Sequence, residues 1–398
     1  MSRMTRADFL RTCAAGGLAA YTLSPMPLRA ANNALPRVQA QRVIQHLSEL
    51  PTDRAPVVTG VSLSPDMQIL ATAGDDHIVR LWKLPEGELL HRLREHSDWV
   101  RATSFNPQAE VLATGGDDKQ VRLWDVRTGK LLKTLSLHTL GIRSVRFSPD
   151  GLSLAAAGFD QLVRTYDSVT GNLKHTFEAP CPDMRAVGFS RTGEILAAGG
   201  RDGRLRLYRV NDVEQPAAMS AHTQRVRAVA FSPDGTLLAT AGEDQNVLIW
   251  DLKQVQPLFT LTIRGSKIMA IAWCGPRIVA AGGSDNLIHM LDVTTREEVA
   301  VLSGHTGTIA ALDADPAGRM LVSGSFDTTA RVWNIDQIVA GNTTAQNAPK
   351  APLTPPVAPA VSSPVSQATP LTLPSNANPH TSTKPAVVPT TPAPSLYK

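Results

Sequence analysis

VRAVAFSPDGTLLATAGEDQNVLIWDLKQVQPLFTLT, residues 226–262, decides the fold. It reads as four short strands, VRAVAF, TLLATAG, VLIWDL and QPLFTLT, with the turns SPDG and EDQN cut between the first three. Runs of β-branched and apolar residues bounded by Pro, Asp and Gly are strand and turn signals. One such sheet has two faces to cover and too few residues to cover them, so neighbours must stack on it. Working outward, the chain supplies the neighbours. Trp82, Trp124, Tyr166, Tyr208, Trp250, Leu291 and Trp333 stand 42, 42, 42, 42, 41 and 42 residues apart, and six residues before each stands an aspartate, from Asp76 to Asp327. A period near 42 marks a repeat architecture, and seven four-stranded units around an axis close into a propeller. The units run about 43–83, 84–125, 126–167, 168–209, 210–251, 252–292 and 293–336, within one expected domain at 32–342.

Segments such as DKQVRLWDVRTGKLLKTLSLH at 118–138 resemble WD repeats, and the resemblance covers roughly residues 43–336. It implies an all-β, seven-bladed β-propeller. It also implies a buried hydrogen-bonded tetrad in each blade: a histidine ahead of the first strand, a Ser or Thr on the second, the turn aspartate, and the Trp of the third. Three sets match fully: His96, Thr114, Asp118, Trp124; His222, Thr240, Asp244, Trp250; and His305, Ser323, Asp327, Trp333. Four repeats depart. Arg54 stands where repeat 1 should have histidine; repeat 3 has Ala156 and Tyr166; repeat 4 has Pro180, Ala198 and Tyr208; repeat 6 has Arg264, Ala281 and Leu291. An aspartate without its histidine should stay solvated or bond turn amides, because a buried unpaired acceptor costs about 1–3 kcal/mol.

RVIQHLSEL, residues 42–50, precedes the first repeat as ELLHRLREH precedes the second, and no fourth strand follows Trp333. Residues 43–50 are therefore expected to form the outer edge of the seventh blade, beside TARVWNI at 329–335, which closes the ring and removes an exposed edge.

The formal charge of +4 divides unevenly: residues 1–30 carry four Arg and one Asp, residues 343–398 carry three Lys and no acid, and the middle is close to neutral. Such a propeller argues against general nucleic-acid binding. Residues 1–31, MSRMTRADFLRTCAAGGLAAYTLSPMPLRAA, place arginines before a modest Ala, Gly and Leu stretch, the layout of a cleavable export signal. The stretch is too short for a membrane span, so no integral membrane segment is expected in the mature chain. TRADFLR at 5–11 resembles the bacterial twin-arginine motif, with Ala7 where the second arginine belongs. Periplasmic or extracellular export from a bacterium is the expectation; a cytoplasmic protein with an unprocessed N-terminus is the alternative. The three cysteines, Cys13, Cys181 and Cys274, are not expected to pair, and no CxxC or Cys/His cluster has metal spacing. Residues 343–398, with thirteen prolines and almost no aromatic content, cannot bury enough surface to fold and read as a disordered spacer.

Catalytic patterns are missing. No Gly-rich loop has a phosphate-binding spacing, no serine lies in GxSxG, and the carboxylates recur as turn formers. Neither cofactor nor metal is expected, and the reading is non-enzymatic. A second register stands out instead: Arg101, Arg143, Arg185 and Arg227 lie 42 residues apart, each five residues after the tetrad histidine position. In WD repeats that position begins the innermost strand and points to the top of the channel. Arg225 and Lys267 stand two residues earlier in blades 5 and 6, and the position before the turn aspartate holds Asp75, Asp117, Phe159, Arg201, Glu243, Ser284 and Phe326. With Trp99, two residues before Arg101, the arginines make a candidate partner-binding arc of Trp99, Arg101, Arg143, Phe159, Arg185, Arg225, Arg227, Lys267 and Phe326 for an acidic protein segment. Asp117 and Glu243 offer the competing reading of a self-compensated rim. Arg80, Arg122, Arg164, Arg206 and Arg331 form a third register, explained by stacking or blade-to-blade ion pairs. The expected function is an interaction scaffold; an enzyme or accessory subunit with a small-anion or sugar site at the channel mouth is the alternative. Against that alternative, no repeat carries an insertion longer than one residue.

Overall fold

The computed structural model describes residues 26–27, 29–30, 35–46, 55–212 and 216–336. Seven antiparallel sheets follow one another along the chain. In the second blade the strands are Val100–Phe105, Val111–Gly116, Val121–Asp125 and Leu131–Leu135, hydrogen-bonded in sequence order. The second strand of each blade is small and apolar because its neighbour packs directly upon it. A Cβ at Gly115 would stand 2.7 Å from the Ile142 side chain of the next blade, and one at Gly324 would stand 2.7 Å from Val58. The apolar cores consequently lie between blades: Ala71, Val79, Leu81 and Leu93 of blade 1 pack with Val100, Phe105, Leu112 and Trp124 of blade 2.

The ring closes as the sequence led us to expect. Arg42–Gln45 pairs antiparallel with Thr329–Asn334, Ile44 opposite Ala330, and the His46 amide donates to the Thr328 carbonyl. Residues 47–50 of the expected strand lie outside the described residues. Ile44 joins Val322 and Val332 of blade 7 to Val58, Leu70 and Trp82 of blade 1 in a single core. Further upstream, Met26–Pro27 runs parallel to Leu261–Thr262, Arg29–Ala30 to Glu297–Glu298, and Arg37–Val38 to Val301–Leu302. The chain thus borders the outer strands of blades 5 and 6 before it completes blade 7. The rest of the export-signal candidate and the Pro-rich tail fall outside the described residues.

The three matching tetrads form. In blade 2 the His96 ring contacts Asp118 at 2.9 Å and Thr114 Oγ1 at 2.7 Å, and Trp124 Nε1 donates to the same hydroxyl at 2.9 Å. The corresponding contacts in blades 5 and 7 centre on Thr240 and Ser323. Burial holds His96 and His305 below the usual imidazole value. Burial alone would raise the Asp118 and Asp327 carboxyls, yet the bonds from their histidines keep both below the carboxylate range.

Two expectations need correction. Repeat 1 does have its histidine, but it is His46 rather than a residue at position 54: His46 Nε2 meets Thr72 Oγ1 at 2.7 Å and Trp82 Nε1 donates to that hydroxyl at 2.8 Å. Three residues separate His96 from Val100, whereas eleven separate His46 from Val58, so the first repeat carries an eight-residue insertion at the level of 47–54. Counting back from the strand misses the histidine, and the reading that no insertion exceeds one residue fails here. Burial, helped by Arg80, pushes His46 down to about 3.

Four of the five members of the third arginine register, all but Arg331, also have a different role. Arg80, Arg122, Arg164 and Arg206 each pair within their own blade with the turn aspartate four residues earlier, at 2.6, 2.5, 2.5 and 2.5 Å. Asp76 and Asp202 bond their turn amides as expected, and these arginines complete them. In blade 3, His138 bonds Asp160, but Ala156 offers no hydroxyl, and His138 Nε2 and the Tyr166 hydroxyl are buried without partners.

Two outcomes follow from this frame. Deleting residues 42–46 exposes the edge of blade 7 and strips blade 1 of its histidine, so the thermal transition should lose its cooperativity; an unchanged melting curve refutes the closure. Thr114→Ala leaves the His96 and Trp124 nitrogens unpaired and should cost about 2–4 kcal/mol in urea denaturation, while Ala156→Ser, which supplies blade 3 with a hydroxyl, should raise the midpoint.

Candidate functional site

The arginine register points into the channel because each member is the extra residue of a β-bulge. Val100 pairs with Gly116 and Ala102 with Gly115, leaving Arg101 over. The same shift leaves over Arg143, Arg185 and Arg227 in blades 3 to 5, Met269 and Ala310 in blades 6 and 7, and Thr59 in blade 1. A bulge re-aims the side chain it displaces, and here all seven line one cavity of about 110 Å³ at the channel mouth. Four consecutive blades give it arginine and three give it neutral residues.

Carboxylates stand between the arginines. Asp117 accepts from Arg101 Nε and Nη2 at 3.0 and 2.8 Å and lies 3.3 Å from Arg143 Nη1. Asp183 accepts from Arg185 Nη2 at 2.7 Å and lies 4.0 Å from Arg225. Glu243 is 3.3 Å from Arg227 and 3.7 Å from Arg225. Rings cover the guanidinium faces: Arg101 sits 4.2 Å from the Trp99 centroid, while Arg143 and Arg185 share Phe159 at 4.3 and 5.6 Å. Burial, with Arg101 as the next cause, pushes Arg143 down to about 10. Arg227 is pushed down to about 10 by burial and then by Arg185. Three carboxylates against the five arginines of this cluster leave a positive surplus, so the rim is partly rather than fully self-compensated.

The structure therefore brings together Trp99, Arg101, Arg143, Phe159, Arg185 and Arg227, with Arg225 on the outer side of the same network. Lys267 is exposed on blade 6 and Phe326 is 47% exposed on blade 7; neither lines the cavity. Asp183, 5% exposed, was missed by sequence reasoning. Its signal was its place in the register Trp99, Gly141, Asp183, Arg225, Lys267, where it is the only acid.

Blade 6 holds a second polar cluster. His289 occupies the third-register position that holds arginine in blades 1 to 4 and 7, and bridges Asp285 at 2.8 Å and Glu298 at 2.6 Å. Burial would lower His289, but the two carboxylates raise it to about 9. Among the described residues no group of three His, Cys, Asp or Glu side chains is arranged to hold a metal ion, and no helix is long and apolar enough to cross a membrane.

Against known families, the model for the WD domain, G-beta repeat, matches residues 44–83, 87–125, 129–167, 171–209, 214–251 and 296–334. The unmatched interval is blade 6, where Leu291 and His289 replace the usual aromatic and arginine. Among curated proteins, a periodic tryptophan protein 2 homolog of Neurospora crassa is 49% identical over 59 residues, 15% of this chain and 7% of that protein. A U3 snoRNP-associated protein-like chain of Arabidopsis thaliana is 38% identical over 60 residues, 15% and 12% of the two lengths. A probable serine/threonine-protein kinase of Thermomonospora curvata is 36% identical over 85 residues, 21% and 11%. The chain spans about a tenth of the length of these relatives.

An imidazole raised from 6.5 to about 9 contributes stability that is complete below pH 6.5 and lost as the pH rises through 9. Between those values the urea midpoint should fall by the equivalent of about 1–3 kcal/mol relative to a His289→Asn variant; parallel profiles for the two proteins would show that His289 is not ionised by its neighbours.

Proposed function

The chain belongs to the WD-repeat family, and on that premise we propose that it is a non-enzymatic interaction scaffold that binds a protein partner over the top of blades 2 to 5. One observation carries the reading: four bulged arginines, backed by Trp99 and Phe159, converge on the channel mouth with more positive charge than their three carboxylates offset. Aromatics and arginines at the centre of a patch are the usual anchors of a protein interface. The surplus charge selects an acidic segment. Rigid blades hold these residues in register, so the ordering cost of binding falls mainly on the partner.

The relatives named for U3 snoRNP association and for kinase activity share only short stretches with this chain. The first supports a propeller that serves in an assembly without naming the assembly here. The near-neutral middle of the chain speaks against binding along a nucleic-acid backbone. We also read residues 1–31 as an export signal, on their arginines followed by small and apolar residues, and residues 343–398 as a spacer.

Arg143→Gln with Arg185→Gln removes two anchors without placing new negative charge beside Asp117 and Asp183. Affinity capture from fractionated native cells should lose one specific protein with this variant while its melt stays cooperative, at a midpoint lowered by the loss of the Arg185 bond to buried Asp183. Undiminished capture refutes the proposed face, and N-terminal sequencing of the recovered chain tests cleavage near Ala30.

A further inference from the structure

The cavity at the channel mouth has a lining of one sign. Besides the four bulged arginines it includes Arg146, three residues further down the innermost strand of blade 3, and no Asp or Glu contributes to its wall. Asp117, Asp183 and Glu243 pair with the arginines but are not part of the lining. Arg146 also borders the basin below, roughly 10 Å deeper along the strand than Arg143. No carboxylate among the described residues comes within ion-pair distance of it. Donors are left over as well: Arg143 Nε and the Thr103 hydroxyl are buried without hydrogen-bond partners, and Thr103 is part of the wall.

We infer that the channel mouth captures a tetrahedral oxyanion of double negative charge, a phosphoryl group or free phosphate, between the guanidinium groups of Arg143, Arg185 and Arg227. This rests on the reading of the arc as the binding face and specifies what the face grips. Size favours such an occupant: about 110 Å³ lies well below the roughly 300–1,000 Å³ of sites for larger small molecules. Chemistry favours it too. Planar guanidinium forks match the oxygens of a phosphate, each making short charge-assisted bonds, and the fixed charge of Arg146 beneath them raises the potential in a cleft with low-dielectric walls. A carboxylate side chain satisfies fewer of these donors and carries half the charge. Met269, Ala310 and Thr59 leave the opposite side of the mouth open for whatever bears the group.

The test is calorimetric titration of the full chain with sodium phosphate at pH 7.4, beside sodium chloride of equal ionic strength. Phosphate should bind saturably, and Arg143→Gln with Arg227→Gln should weaken it at least tenfold. Arg146→Gln, chosen as a variant away from the rim ion pairs, should weaken it severalfold with an unchanged unliganded melting temperature. A response equal to that of chloride, or variants that bind as the wild type does, overturns the site. A phosphoserine peptide and its unphosphorylated form separate the sources. Tighter binding of the phosphopeptide than of phosphate assigns the group to a partner, and equal binding assigns free phosphate. Because no partner protein is present in these titrations, their failure leaves the capture experiment standing, and loss of capture leaves the anion site standing.

Discussion

The carboxylate of the turn between the second and third strands is the pin from which the top face hangs. Asp118 bonds the His96 ring ahead of the blade, the amide of Ser97 in the incoming loop, and Arg122 on the outgoing strand. Asp160 repeats this with His138, Thr139 and Arg164. Each pin therefore fixes two loops at once. The residues of the proposed binding face are its immediate neighbours in the chain: Asp117, Phe159 and Glu243 precede pinned aspartates, and Trp99 follows the bonded amide of Ser97 by two positions. The energetic logic is local. A buried carboxylate is tolerable when its lone pairs are filled, and filling them from a loop, a ring and a guanidinium ties three segments of backbone to one point.

On that fixed frame the bulge does the aiming. A regular strand would send Arg101 and its counterparts toward the blade interface, where the small second strands leave no room for a guanidinium. Displaced by one residue, they enter the channel instead. Four guanidinium groups near one another are unfavourable, and the structure relieves this in two ways. Each carboxylate is shared between two arginines, and aromatic faces cover Arg101, Arg143 and Arg185. Burial, and after it the neighbouring arginine, still pushes Arg143 and Arg227 down.

The period, the blade count and the three full tetrads were legible because each is written as residues at constant spacing, and the closure because RVIQHLSEL reads as an outer strand with no blade of its own. The arginine arc was legible for the same reason, although the bulge that turns it inward was not, since the extra residue is repeated in every unit and leaves no irregularity to notice. His46 escaped because the insertion at 47–54 moves it out of register. The Asp76–Arg80 type of pair escaped differently: both registers were visible, but the four-residue offset around a tight turn was read as two separate patterns. His289 meets Glu298 across neighbouring strands, a contact that no local spacing announces. The two-residue pairings at Met26–Pro27 and Arg29–Ala30 are too short to produce any alternation.

His46 gives the assembly a chronology. Its imidazole completes the first blade, yet the strand that positions it, Arg42–Gln45, finds its hydrogen-bonding partner only at Thr329–Val332. On a ribosome adding about 5–20 residues per second, roughly 280 residues must emerge between the two, so the first blade waits about 15–60 s for its own histidine to be held in place. Until then Thr72 and Trp82 lack a fixed ring partner, and the edge of the seventh blade that will receive the segment does not yet exist. The late arrival of one strand makes the order of translation part of how the ring comes to be closed.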